Sequence, residues 1–122
     1  MKSLLFIAIA GALGALARYG VVNMVGGRYF PWGTLAVNVA GSLVMGIVYV
    51  LIVERMLWSP DLKPVLMTGF LGAFTTFSAF SLEAWEFLDR GEPVHALAYI
   101  ASSVLVCLLA VAAGVFIGRL GL

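Results

Sequence analysis

The sequence predicts an all-α integral membrane protein with four transmembrane helices per chain, the third of them broken. Three observations carry this. The chain is 63% hydrophobic and 11% charged, whereas soluble domains carry about 25% charged residues. Its charges are gathered, with Glu54, Arg55, Asp61 and Lys63 in one group and Glu83 through Glu92 in another; a soluble protein this small needs far more polar surface. Four apolar segments reach the roughly 20 residues that a helix needs to cross a bilayer. Turn-forming stretches separate them, "GGRYFPWG", "ERMLWSPDLKP" and "DRGEP". Residues 1–122 read as a single transmembrane domain.

The first span, about 3–25, is apolar except for Arg18. It also resembles a secretory signal, with Lys2, an apolar core and Ala15-Leu16-Ala17; it is expected to be retained as a span. A buried arginine costs about 2.5–3.5 kcal/mol on insertion scales. Arg18 therefore has two readings, a cation facing the protein interior or a side chain snorkelling to a nearby interface. Ala10 with Gly14 and Gly11 with Ala15 are spaced for close helix contact.

The second span, about 32–53, holds Asn38 and Ser42 inside "GTLAVNVAGS". Hydrocarbon offers Asn38 no partner. It is either a helix–helix hydrogen bond or an amide aimed into a pore, and an uncharged donor suits a dehydrated anion that must bind and still leave.

The third span, about 63–88, contains "GFLGAFTTFSAFS", residues 69–81. Gly69 and Gly72 each weaken a helix by about 1 kcal/mol relative to Ala, and Thr75 and Thr76 can bond backbone groups that a break would free. Irregular backbone at membrane depth must be buried in protein or line a cavity, and unwound carbonyls can coordinate a cation. Phe74, Phe77 and Phe80 read first as a packing stripe. The positive ring edge of a phenyl group can also face an anion without carrying charge.

The fourth span, about 93–120, is the longest apolar run, with Ala110, Gly114 and Gly118 at four-residue steps. Trp32, Trp58, Trp85, Tyr29 and Tyr49 fall at or near span ends, suited to the headgroup level. The net charge of +1 brings no basic tract for nucleic acid. The single cysteine, Cys107, and single histidine, His95, form no metal or nucleophile constellation. No paired carboxylates, cofactor loop or nucleophile–base set suggests an enzyme. Lys2, Arg55, Lys63 and Arg119 share one side of the membrane, against Arg28 and Arg90 on the other, with Arg18 inside or near the end of a span on that second side. That bias is slight, so charge leaves open whether the chain inserts one way or both. The two halves show no duplication, so transporter-like inverted symmetry would need an inverted second copy.

Taken in order, "GALGALARY" (11–19), "GTLAVNVAGS" (33–42) and "GFLGAFTTFSAFS" (69–81) resemble the small bacterial fluoride channels of the Fluc or CrcB family over nearly the whole chain. The resemblance implies an antiparallel, dual-topology homodimer in the bacterial cytoplasmic (inner) membrane, with passive, selective fluoride efflux through two pathways. It places Asn38, Phe77, Phe80, Ser78, Tyr99 and Ser103 along the fluoride path. Arg18, Thr34 and Glu83 take structural or vestibule positions. The carbonyls of Gly72 and Thr75 are expected to hold a structural Na⁺ at the dimer interface. Ala79, Cys107 and Val111 stand where hydroxyls are common in the family. Two other classes compete. A dual-topology multidrug or cation exporter would want a mid-span carboxylate, and Glu83 lies late in its span; a structural subunit of a larger membrane complex leaves the 69–81 stretch without a purpose.

Overall fold

A computed structural model of the chain describes residues 2–121, and over that length it is all-helical. Helix α1 is Lys2–Val25. Helix α2 runs from Trp32 to Tyr49 and continues through the wider π turns of Val50–Glu54. Helix α3 covers 64–74, as π turns over Pro64–Leu71 and a single α turn over Gly72–Phe74. Helix α4 is Phe77–Asp89 and α5 is Pro93–Arg119. With α3 and α4 taken as one interrupted segment, the described residues contain four helices long and apolar enough to cross a membrane: Lys2–Val25, Trp32–Glu54, Pro64–Asp89 and Pro93–Arg119. These limits fall close to those expected from hydropathy.

Local chemistry explains the ends. Pro64 and Pro93 open their helices, where a missing N–H costs nothing. Gly91, at φ +76°, takes the left-handed position that lets the chain turn from α4 into α5. At the opposite end Arg119 grips the Glu54 carboxylate with two hydrogen bonds of 2.9 and 2.6 Å, and Arg55 donates to the Gly118 carbonyl at 3.1 Å. These bonds tie the C-terminal ends of α2 and α5.

The packing explains why the third span is interrupted. Helices α2 and α5 form the main pair, α1 packs chiefly on α3, and α4 leaves that partnership to lie on α5. Small residues make the close contacts. Ala10 and Gly14 are the buried residues of α1, and Ala110, Gly114 and Gly118 form the buried stripe of the lower half of α5. A methyl group on Gly114 would sit 2.1 Å from the Leu43 carbonyl oxygen, so α2 and α5 approach at backbone distance there. Gly69 faces Ala10 and the Ile7 carbonyl, each 3.0 Å from where its Cβ would be. Its sequence reading as a helix loosener gains a second purpose, close approach to α1. Most of the outer surface, including Leu5, Leu13, Leu105, Leu108 and Leu109, is exposed and apolar, as a lipid-facing surface must be.

Candidate functional site

The interruption falls at Thr75 and Thr76, which are extended at φ −86°, ψ 159° and φ −150°, ψ 119°. Gly72, three residues earlier, remains helical at φ −62°, ψ −33°. Two threonines close the broken ends. Thr75 donates both its N–H (3.0 Å) and its hydroxyl (2.9 Å) to the Leu71 carbonyl, finishing α3. The Thr76 hydroxyl accepts from Ala79 N–H at 3.2 Å, the N-cap of α4. Between them Asn38 reaches across from α2 and treats Thr76 as one strand treats another. Its Oδ1 accepts from Thr76 N–H at 2.8 Å and its Nδ2 donates to the Thr76 carbonyl at 3.0 Å.

This arrangement bears directly on Gly72 and Thr75. In an unbroken helix their carbonyls would accept from the residues four later, Thr76 and Ala79. Both donors are diverted, one to Asn38 Oδ1 and the other to Thr76 Oγ1. The two oxygens expected to hold a cation are thus deprived of their helical partners, and Gly72 lies exposed on the chain surface. Among the described residues no group of three or more His, Cys, Asp or Glu stands together for a metal, so backbone oxygens are the available hard donors. The donor set fits Na⁺, which unwound helix carbonyls bind.

The break opens onto a groove of about 300 Å³ whose lining includes Asn38, Thr75, Phe77, Phe80, Ser103 and Cys107. Phe77 and Phe80 meet at 5.6 Å between centroids, but they are placed differently. Phe77 is 79% exposed and Phe80 only 9%. Phe80 leans edge-on against Tyr99 at 5.2 Å, and Tyr99 is fully buried behind it. The Ser103 side chain is buried and its hydroxyl has no partner, nor has that of Tyr99. Ser78 is exposed on the first turn of α4, 3.5 Å from the Thr76 hydroxyl, and neither it nor Tyr99 is among the residues lining this groove. Cys107 and Val111 continue the wall below Ser103 with a thiol and an isopropyl group. Phe74 stands apart on the other side of the break, stacked on Phe70 at 6.0 Å and 11°, a packing role.

A second cavity of about 360 Å³ lies toward the 26–31 loop, and Thr34 and Glu83 line it together with Arg28, Glu86 and Arg90. The Thr34 hydroxyl donates to Glu83 Oε2 at 3.0 Å, leaving the enclosed Oε1 without a partner. Arg18 belongs to neither lining, but its Nε is enclosed and unpaired, so part of its head turns toward protein. At the cavity rim the Tyr29 hydroxyl donates to Glu92, joining the loop after α1 to the turn before α5. That acceptor carboxylate holds the Tyr29 phenol above its ordinary range. Arg90 lies 3.9 Å from Glu92 and over the rings of Tyr29 and Phe87, at 5.8 and 5.0 Å.

Comparison with known proteins gives the family. The family model described as "CrcB-like protein, Camphor Resistance (CrcB)" matches residues 5–115. The chain belongs to the CrcB family. A relative from Hahella chejuensis named "Fluoride-specific ion channel FluC" is 49% identical over 120 residues, covering 96% of this chain and 94% of that one. Relatives of the same name from Magnetococcus marinus and Rhizobium etli are 48% and 47% identical, covering 94% and 98% of this chain and 96% and 98% of their own.

Within this CrcB-family chain, sequence reasoning missed Thr76 as the partner of Asn38. Thr76 stands beside Thr75, and nothing in the spacing says which of the two a residue 38 positions upstream will meet. Gly41 and Met45 of the groove wall were also missed. They lie on the face of α2 that carries Asn38, three and seven residues on, and helical spacing was the available signal.

Proposed function

We propose that this chain forms a fluoride-selective ion channel that lets fluoride leave the cytoplasm passively across the bacterial cytoplasmic membrane. The observation that carries the reading is the groove itself. Asn38, Phe77, Phe80 and Ser103, drawn from three helices, surround one opening beside the helix break, in a chain 47–49% identical to proteins named as fluoride channels. Fluoride is small and strongly hydrated, so it enters only where donors replace its water. The second Nδ2 hydrogen of Asn38, the unpaired hydroxyl of Ser103 and the ring edges of Phe77 and Phe80 are such donors, and none carries a full charge. A permeating ion needs several weak sites rather than one strong one. The N-terminal end of α4 adds the positive end of a helix dipole beside the groove.

The functional unit in this reading is two chains inserted antiparallel, with two fluoride pathways along their interface. The exposure of Phe77 and of Gly72 on a single chain supports it, because both belong to the proposed machinery and both await a covering surface. The Gly72 and Thr75 carbonyls would hold Na⁺ at that interface, where the ion supplies a fixed positive charge. Glu83 and Thr34 line the vestibule, and Tyr99 and Ser103 form the wall behind Phe80. Purified protein in liposomes tests the function. Fluoride should be released much faster than from protein-free liposomes, and chloride should not. Release no faster than the empty control removes the channel reading, and equal chloride release removes the selectivity. F77I and F80I should fold and lose fluoride flux, whereas a purely structural subunit would have no flux to lose.

A further inference from the structure

The pairing of Asn38 with Thr76 is reciprocal: one side chain accepts from and donates to the two polar groups of a single backbone residue, at 2.8 and 3.0 Å. Such a pair imitates the backbone pairing of a strand, and it is satisfied only while Thr76 is extended. The Thr76 N–H has two possible acceptors, the Gly72 carbonyl of a continuous helix or Asn38 Oδ1. It takes Asn38. We infer that Asn38 is the positioning residue of the helix break: by capturing Thr76 N–H it keeps the Gly72 carbonyl free for a cation and sets where α4, with Phe77 and Phe80, begins. The inference rests on the proposed Na⁺ site and adds the residue that keeps it open.

The arithmetic of hydrogen bonds supports the assignment. An asparagine amide offers two acceptor sites and two donors. Asn38 commits its oxygen and one N–H to Thr76, so only one N–H is left for an anion in the groove. Its larger commitment is to the backbone of the third span. Thr75 cannot substitute, because its N–H and hydroxyl both end on Leu71. Nor can the Thr76 hydroxyl, which caps α4 at Ala79.

The test is the sodium dependence of thermal unfolding of the full chain in detergent, with sodium chloride replaced by the chloride of a large organic cation. Wild type should melt at higher temperature as sodium rises. In N38A the sodium concentration for half the effect should rise at least tenfold, or the effect should vanish. N38S, which keeps a shorter acceptor, should fall between. A second measurement needs no variant: sodium titration of the labelled wild type should move the Asn38 side-chain amide and Thr76 backbone amide resonances together, at the concentrations that raise the melting temperature. A wild-type response retained undiminished in folded N38A or N38S overturns the inference alone, as does a stabilising titration that leaves both resonances unmoved. Wild-type protein indifferent to sodium removes the cation reading and this inference with it. Fluoride flux that persists without a sodium response leaves the channel reading standing.

Discussion

Thr76 concentrates two uses in one residue: its backbone pairs with Asn38 and its hydroxyl caps α4. The two uses separate by mutation. Replacing the side chain leaves the backbone pair intact and removes the cap together with the long 3.5 Å contact to the Ser78 hydroxyl, so Thr76→Ala should destabilise the protein by about 1 kcal/mol and Thr76→Ser by much less. Thermal unfolding in detergent reads both, and equal melting of T76A and wild type would deny the cap any energetic weight. Phe77 and Phe80 also separate. Phe80 is packed on Tyr99 within a cluster with Ala84, Phe87 and Ala96, whereas Phe77 projects from the chain. Phe80→Ala should therefore lower stability by on the order of 3 kcal/mol and Phe77→Ala by clearly less, although both rings line the groove.

At the scale of elements, backbone-distance contact holds α2 against α5, and the same contact makes the pair intolerant of bulk. Gly114→Leu places its first carbon 2.1 Å from the Leu43 carbonyl oxygen, against backbone that cannot turn aside. It should cost at least the 1–3 kcal/mol typical of overpacking and reduce the yield of folded protein. Gly20→Ala on α1, where nothing lies within 4 Å, is the matched control and should be neutral or slightly stabilising. The clasp between the 26–31 loop and the 90–92 turn has a pH limit instead. The Tyr29 phenol is held above its ordinary range because its hydroxyl donates a hydrogen bond to the Glu92 carboxylate. A raised phenol pKa contributes stability that is fully present below the unfolded value, about 10, and is lost as pH rises through the folded value. The difference in tyrosinate absorbance between wild type and Y29F should isolate a phenol that titrates late, and E92Q should return that phenol toward the ordinary range. How much of this was legible follows from what each element depends on. The spans were readable because bilayer thickness and hydropathy are properties of a local window. The broken third span was readable from Thr75, Thr76 and the glycines, but its exact place was not, because Asn38 decides it from another helix. The π turns in Val50–Glu54 and Pro64–Leu71 left no mark in the apolar pattern. Ser78 lies outside the lining of this groove and Tyr99 packs against the Phe80 ring, placements that the motif did not give. Those are matters of rotation about a helix axis that a motif does not carry.

For the whole molecule the decisive quantity is the small difference in positive charge between its two ends. Lys2, Arg55, Lys63 and Arg119 lie toward one end of the helix bundle and Arg28 and Arg90 toward the other. Two of the four are already engaged, Arg119 with Glu54 and Arg55 with the Gly118 carbonyl. A Lys/Arg excess on one side sets orientation, and a chain that must supply both orientations of an antiparallel pair has to stay near balance. Orientation should therefore be easy to tip. Two arginines added to the 56–62 loop should drive nearly all chains one way round, and two added beside Arg28 should drive them the other. Labelling of an N-terminal tag from each face of the membrane reads the orientation: both faces for wild type, one face for each biased variant. Because the proposed unit needs both orientations, each biased variant alone should lose most of its fluoride flux in cells, and expressing the two together should restore it. Full flux from a variant shown by labelling to insert one way only would end the antiparallel reading, while leaving the groove and its residues as they stand.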